Sequence, residues 1–415
     1  MTFQPAIVNR NHSHYDPVTL RCQPEFAGLI LSVAAGVAAC TGDTRVVESA
    51  AAPFSPGLSQ VAALGEQLFR DETLSASGRL SCQTCHEPEF AHAAPPGDRV
   101  SKGGPAMDVP GLRNSPSIRY ASFTPPFGYD EEGTALGGFF RDGRVPTLVE
   151  QAKQPFLDPR EMANATPAGV IARLSRSPNA ERFRQVFGAQ ALDDPEAAFS
   201  RLAAAIAQFQ VENPELHRFD SKYDAFLAGR AVLSPAEERG LTLFEDPEKG
   251  NCAACHPSRP AADGSPPLFT DFTYDNVGLP RNARVPANAD PAFFDLGLCG
   301  PERKDLADRR DLCGAFKVPT LRNVARTAPY FHNGVFETLR EAVDFYVRRD
   351  TEPGAWYPKS AAGIRKFDDL PAGMTGTVNT SEVPYDRKAG GEPSLTPAEI
   401  DDVVAFLAAL DDGYN

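Results

Sequence analysis

Cys82-Gln83-Thr84-Cys85-His86 and, 170 residues further on, Cys252-Ala253-Ala254-Cys255-His256 share the spacing Cys-x-x-Cys-His. This spacing suits covalent attachment of a c-type haem: the thiols bind its vinyl groups as thioethers, and the next imidazole binds the iron. A lone copy also fits half a zinc site or a redox dithiol. Two copies with similar lead-ins, Gly65-Glu66-Gln67-Leu68-Phe69 and Gly240-Leu241-Thr242-Leu243-Phe244, favour haem, because no further Cys/His pairs complete a four-ligand zinc set. We therefore expect two covalent haem c groups, held by Cys82, Cys85, His86 and by Cys252, Cys255, His256, with both histidines as iron ligands.

At 415 residues the chain is long enough for two cores, and its 42% hydrophobic and 23% charged residues are ordinary for a soluble globular protein. A net charge of −14 argues against nucleic-acid binding. Thirty-eight prolines and 33 glycines point to long structured loops, as wrapping a haem requires.

Of the remaining cysteines, Cys299 and Cys313 are fourteen apart and read as a disulfide closing a short loop in an oxidising compartment. Residues 26–39 form an apolar, small-residue run too short for a comfortable membrane span. It ends Val37-Ala38-Ala39-Cys40-Thr41-Gly42, which is similar to a bacterial lipoprotein lipobox. The expectation is an exported, periplasmic protein with residues 1–40 as a lipoprotein-type signal segment and a lipid anchor at Cys40.

Residues 41–57 read as a tether, residues 58–216 as a first haem domain and residues 230–415 as a second. Phe199, Leu202, Ile206 and Phe209 recur at helical spacing. Ser234-Pro235-Ala236-Glu237 and Thr396-Pro397-Ala398-Glu399 are capping boxes with proline at the first helical position. Strand signals are sparse. The expected fold is mainly α, two cytochrome c-like haem domains related by internal duplication. The repeat extends beyond the haem motifs: Val109-Pro110-Gly111-Leu112-Arg113-Asn114 parallels Val318-Pro319-Thr320-Leu321-Arg322-Asn323. Asp142-Gly143-Arg144 parallels Asn333-Gly334-Val335, which places Pro155 opposite Tyr346, both thirteen residues on.

That position decides the chemistry. Filling the second axial site of a haem makes an electron-transfer centre, whereas leaving it open admits peroxide or oxygen. Tyr346 can coordinate ferric iron and Pro155 has no donor atom. One closed haem at His256 and one open haem at His86 follow. Without the duplication, Tyr346 would read as a core aromatic on a helix face.

These residues resemble the bacterial dihaem cytochrome c peroxidase/MauG family over nearly all of the mature chain. The resemblance rests on Phe316-Lys317-Val318-Pro319-Thr320-Leu321-Arg322-Asn323 and on Ala328-Pro329-Tyr330-Phe331-His332-Asn333-Gly334. Fourteen residues after that histidine the peroxidases place an axial methionine and MauG a tyrosine; here it is Tyr346. His332 itself has no ligand role in the family.

By the same matching, the pocket of the open haem carries Gln151, Pro155 and Glu161 as catalytic residues. Glu161 would move the peroxide proton and Gln151 would orient the peroxide. A calcium between the domains is implied, held by Asn114 and the carbonyls of Thr327 and Pro329. The capping histidine of reductively activated peroxidases is replaced by Ala106, so the open haem is expected to be accessible without His92 or Met107 as a cap. The family's inter-haem tryptophan aligns with Arg141. Leu298-Cys299-Gly300-Pro301, residues 345–351 and Trp356-Tyr357-Pro358 further resemble MbnH-type enzymes. Those enzymes are associated with copper homeostasis and oxidise a partner tryptophan to kynurenine.

The resemblance thus implies a MauG-like oxidase that uses hydrogen peroxide to reach a high-valent dihaem state and oxidises an exported partner protein, of the MbnP type in the closest case. The alternatives are a cytochrome c peroxidase fed by a small electron donor and a non-catalytic dihaem electron carrier.

Overall fold

The computed structural model describes residues 57–97 and 99–414; the expected leader, Cys22, Cys40 and nearly all of the 41–57 tether lie outside them. Ten α-helices are described: α1 Gln60–Phe69, α2 Cys82–Cys85, α3 Leu148–Leu157, α4 Pro167–Leu174, α5 Ala180–Phe187, α6 Pro195–Glu212, α7 Lys222–Leu227, α8 Pro235–Glu245, α9 Leu339–Arg348 and α10 Pro397–Ala408. The described β structure is four antiparallel ladders of two residues per strand and a few isolated bridges. The protein is mainly helical, with long connections that contain short 3₁₀ turns.

The helices begin where the sequence caps them. The Asp194 carboxylate accepts from the N–H groups of Glu196 and Ala197 to start α6, with Pro195 at the first position. Capping boxes at Ser234 and Thr396 open α8 and α10. Along α6, Phe199, Leu202, Ile206 and Phe209 are all buried, as their spacing predicts.

Two crossings organise the two halves. Helix α1 packs on α6, and α8 packs on α10. At the first crossing a Cβ on Gly65 would collide with the Ala205 carbonyl; at the second, a Cβ on Gly240 would collide with that of Asp402. Glycine is required there because backbone meets backbone. One hydrophobic core runs from Leu64 to Leu216. A second is built from residues between Tyr223 and Leu410.

Charged groups join the halves. Arg113 bonds Asp142 in its own half (2.7 Å) and Asp295 in the other (2.6 and 2.8 Å). Asp412 accepts from Tyr120 (2.6 Å), Arg119 (3.0 Å) and Asn323 (2.7 Å). Such buried pairs add little net stability, but removing one partner strands the other and costs about 3–5 kcal/mol. Cys299 and Cys313 form the expected disulfide, with Cα atoms 5.0 Å apart. Among the described residues no helix is long and apolar enough to cross a membrane.

Candidate active site

Each pentad opens onto a cavity. The first is lined by Cys85, His86, Gln151, Pro155 and Glu161, the second by Cys252, Cys255, His256, Tyr346 and Tyr385. Their volumes are about 260 and 230 Å³.

The histidines are set for ligation. His86 Nδ1 lies 3.2 Å from the carbonyl of His92, and His256 Nδ1 lies 2.8 Å from that of Phe269. A carbonyl can only accept, so Nδ1 carries the proton and Nε2 keeps its lone pair. Burial lowers the pKa of both imidazoles and holds them neutral, the form that binds metal. None of the four pentad cysteines is in a disulfide, although Cys299 and Cys313 are. The donor set therefore fits two covalently attached haems.

Helices α3 and α9 form the opposite walls. Thr147 caps α3 by accepting from Glu150 N–H, and Thr338 caps α9 by accepting from Glu341 N–H. From α3, Leu148, Gln151 and Pro155 face the first cavity; from α9, Leu339, Ala342 and Tyr346 occupy the same register on the second. Pro155, inside α3, has no N–H to return to the Gln151 carbonyl one turn earlier.

Glu161 reaches the first cavity from the turn after α3. Its pKa is pushed up to about 7, first by desolvation and then by the negative charge of Asp158, against the pull of Arg144 and Arg160. Arg160 is held on both sides, by Asp158 (2.7 Å) and by Glu302 of the other half (2.8 Å). A carboxyl poised near neutrality can both accept and return a proton.

In the second cavity, burial raises the Tyr346 phenol, and the nearby Asp275 adds to this while Arg349 opposes it. Its ring lies 5.9 Å from that of Tyr385, which is also buried. The guanidinium of Arg349 sits over Tyr385 at 4.2 Å. The sequence carried no signal for Tyr385, which is reached through a long loop after α9. His332 lines this cavity too, stacked on Phe316 at 3.6 Å and 3.6 Å from the Asp369 carboxylate.

Three comparisons place this geometry. The family model for "Di-haem cytochrome c peroxidase" matches residues 59–232. The methylamine utilization protein MauG of Paracoccus denitrificans is 38% identical, over 86% of this chain and 90% of its own length. The chain belongs to the dihaem cytochrome c peroxidase/MauG family. It is thus a haem-dependent oxidoreductase, and the dihaem family implies two haem groups. The crystal structure of the diheme peroxidase BthA from Burkholderia thailandensis matches with a TM-score of 0.78 and 40% identity, covering 88% of this chain and 89% of that one. That of a MauG-like protein associated with microbial copper homeostasis matches at 0.60 and 29%, covering 90% and 96%.

Arg141 lines both cavities, as do Lys317, Val318 and Pro319. Arg141 Nε donates to the Asn114 carbonyl (3.0 Å). Desolvation and then Arg113 lower its pKa to about 10. Lys317 Nζ donates to the Gly138 carbonyl, and desolvation first lowers its pKa to about 7. Arg141 stays charged at neutral pH whereas desolvation leaves Lys317 only partly so, and both remain hydrogen-bond donors that suit the propionate groups of a haem. His92 and Met107 take no part in the first cavity: the His92 ring turns to Arg119 Nε (3.4 Å), and Met107 packs into the first core.

The residues expected to hold calcium converge in part. The Asn114 side chain is buried and touches the Pro329 carbonyl, and Asn114 N–H donates to the His332 carbonyl (2.8 Å). Thr327 lies two residues before Pro329, in the turn that follows the 3₁₀ segment Val324–Arg326.

Proposed function

We propose that this protein is a MauG-like dihaem oxidase that uses hydrogen peroxide in the first cavity and oxidises an exported partner protein. The observation that carries this reading is the asymmetry of the two cavities. Pro155, Gln151 and a neutral-range Glu161 face His86, whereas a phenol, Tyr346, faces His256 in the same register.

When bound, the first haem supplies an iron face at which peroxide can be activated. Pro155, which lines that cavity, would offer the iron no donor atom. Glu161, as the carboxylate, accepts a proton from the peroxide and returns it to the departing oxygen, so that this oxygen leaves as water. Gln151 orients the peroxide by hydrogen bonding. In the second cavity His256 and Tyr346 would hold the iron. Burial disfavours ionisation of that phenol and the Arg349 charge favours it, so Arg349 would support the phenolate form that binds ferric iron.

The finer points belong to the same proposal. The matched register of α3 and α9, and of the Gly65 and Gly240 crossings, supports an internal duplication with domains at 58–216 and 230–415. Asn114, Thr327 and Pro329 offer all-oxygen ligation to a calcium. The disulfide supports a periplasmic location, with a lipid anchor at Cys40. The substrate class is a protein side chain, tryptophan on an MbnP-type partner by likeness to the copper-associated group. The cytochrome c peroxidase and electron-carrier readings would need a different ligand pattern.

The test is stopped-flow absorbance of the fully ferric, haem-loaded protein mixed with stoichiometric peroxide. Rapid loss of the ferric Soret band without prior reduction is expected. A reaction that begins only after one electron is supplied would replace this reading with the peroxidase one.

A further inference from the structure

We propose that Glu302, carried on the disulfide-closed loop of the second half, is a positioning residue for Glu161: through Arg160 it fixes the turn that presents the carboxyl and the charge that the carboxyl meets. The proposal deepens the oxidase reading above and rests on the proton-transfer role given there to Glu161. It comes from a triad that crosses between the halves. Arg160, next to Glu161 in the chain, forks onto two carboxylates at once. Its Nε and Nη2 donate to Asp158 at the end of α3 (3.0 and 2.7 Å), and its Nη1 and Nη2 donate to Glu302 (2.9 and 2.8 Å). Asp158, Arg160, Glu161 and Glu302 all line the first cavity.

Glu302 is held in place from both sides. Three residues before it, Cys299 is tied to Cys313. One residue after it, the buried Arg303 donates to the Asp142 carbonyl of the first half (2.9 Å) and lies over the Phe127 ring at 3.8 Å. The turn itself is closed by Glu161 N–H on the Asp158 carbonyl (3.0 Å) and by the Glu161 carbonyl, which accepts from Gly104 N–H (2.8 Å). Forked guanidinium–carboxylate contacts restrict direction as well as distance. The second half thereby steers the acid–base group of the first.

The charges show what Glu302 adds. Asp158 and Arg160 alone cancel, whereas with Glu302 the triad is two carboxylates on one guanidinium, a net negative charge beside Glu161. That excess opposes ionisation of the buried carboxyl, as desolvation does, and its pKa lies at about 7. Arg144, the other cation acting on Glu161, is itself bonded to Asp142 (3.0 and 3.1 Å) and lies over Phe140 at 3.6 Å. Lys102, Arg113, Arg119, Arg141 and Lys317 also line the cavity and stay unchanged in the variants below. Cys82 and Cys85 lie near Glu161 too, and as thioethers they would carry no charge.

The experiment is an infrared pH titration of the ferric holoenzyme, run beside the stopped-flow rate profile with peroxide. The protonated-carboxyl band of Glu161 is assigned by its loss in Glu161→Gln. Glu302→Gln removes the excess negative charge and should move the midpoint down by about half a pH unit or more. The peroxide rate at pH 6 should then rise about threefold, with the plateau at high pH unchanged. Arg160→Leu strands two carboxylates beside Glu161 and should shift both readings the opposite way by a similar amount. Glu302→Asp, which keeps the charge, should stay closer to the parent than Glu302→Gln does. A parental midpoint in Glu302→Gln, with haem loaded as in the parent, would make the ion pairs mere fasteners between the halves and overturn this proposal alone. If Glu302→Gln does not load haem, a parental midpoint in Arg160→Leu overturns it equally. A parent whose peroxide rate ignores the Glu161 midpoint would instead overturn the role given to Glu161 in the oxidase reading.

Discussion

Pro155 and Tyr346 stand at the same place on their helices, each eight residues after the threonine that caps the first turn, and each faces the cavity of its own half. Identical register with opposite chemistry, one side chain lacking a donor and the other ending in a phenol, is the basis on which we propose a division of labour between the two sites. Replacing the phenol should therefore change the second site alone. Tyr346→Phe is expected to alter the ligand-field absorption and paramagnetic spectrum assigned to the His256 haem and to leave those of the His86 haem as they were. Changes at both haems would sink this division.

Glu161 supplies the pH dependence. Its carboxyl has been raised to about 7, so it is mostly protonated at pH 6 and mostly ionised at pH 8. In the proposed mechanism the ionised form accepts the peroxide proton. The second-order rate with peroxide should fall by about tenfold per pH unit below 7 and level off above it. Glu161→Gln should lower the rate by about 10²–10⁴ and flatten the profile, which stopped-flow measurements from pH 5 to 9 would reveal.

Arg141 puts a positive charge in the wall shared by the cavities. A nearby cation disfavours the ferric state, so Arg141→Leu should lower the reduction potentials of both haems. A unit charge ~8 Å away at an effective dielectric of ~20 is worth about 2 kcal/mol, or roughly 90 mV for one electron. Spectroelectrochemical titration would read this. Unchanged potentials would mean that the guanidinium is fully neutralised where it lies.

The Gly65 crossing makes a stability prediction. Gly65→Ala gains helix propensity of up to ~1 kcal/mol but drives a methyl group into the Ala205 carbonyl, a backbone atom that cannot rotate away. The net should be a loss of about 1–3 kcal/mol. A urea titration of the holoprotein, with the midpoint followed at an unchanged slope, measures it.

Much of this was legible in the chain because it was written locally. The haem pentads, the capping boxes at Ser234 and Thr396 and the apolar period of α6 are all local patterns, and the structure has the two caps and the buried period of α6. The asymmetry of Pro155 and Tyr346 could be read by laying one half over the other. Tyr385 could not, because it enters the cavity from a loop in which no periodicity fixes the direction of a side chain. The triad of Arg113, Asp142 and Asp295 was equally silent: Asp295 is 182 residues from its arginine, and only the packed halves bring them together. Arg141 was visible as a departure from the family, but its place between the cavities depends on the Phe316–Lys317 strand folding back across it.

The nearness of Tyr385 to Tyr346 has a consequence for evolution at this site. A chain that lost the first tyrosine would keep a second phenol in the same enclosed space, so the His256 cavity would still contain an oxygen donor. A single substitution at position 346 would therefore change the atom offered to the iron while the Tyr385 ring still closed the cavity.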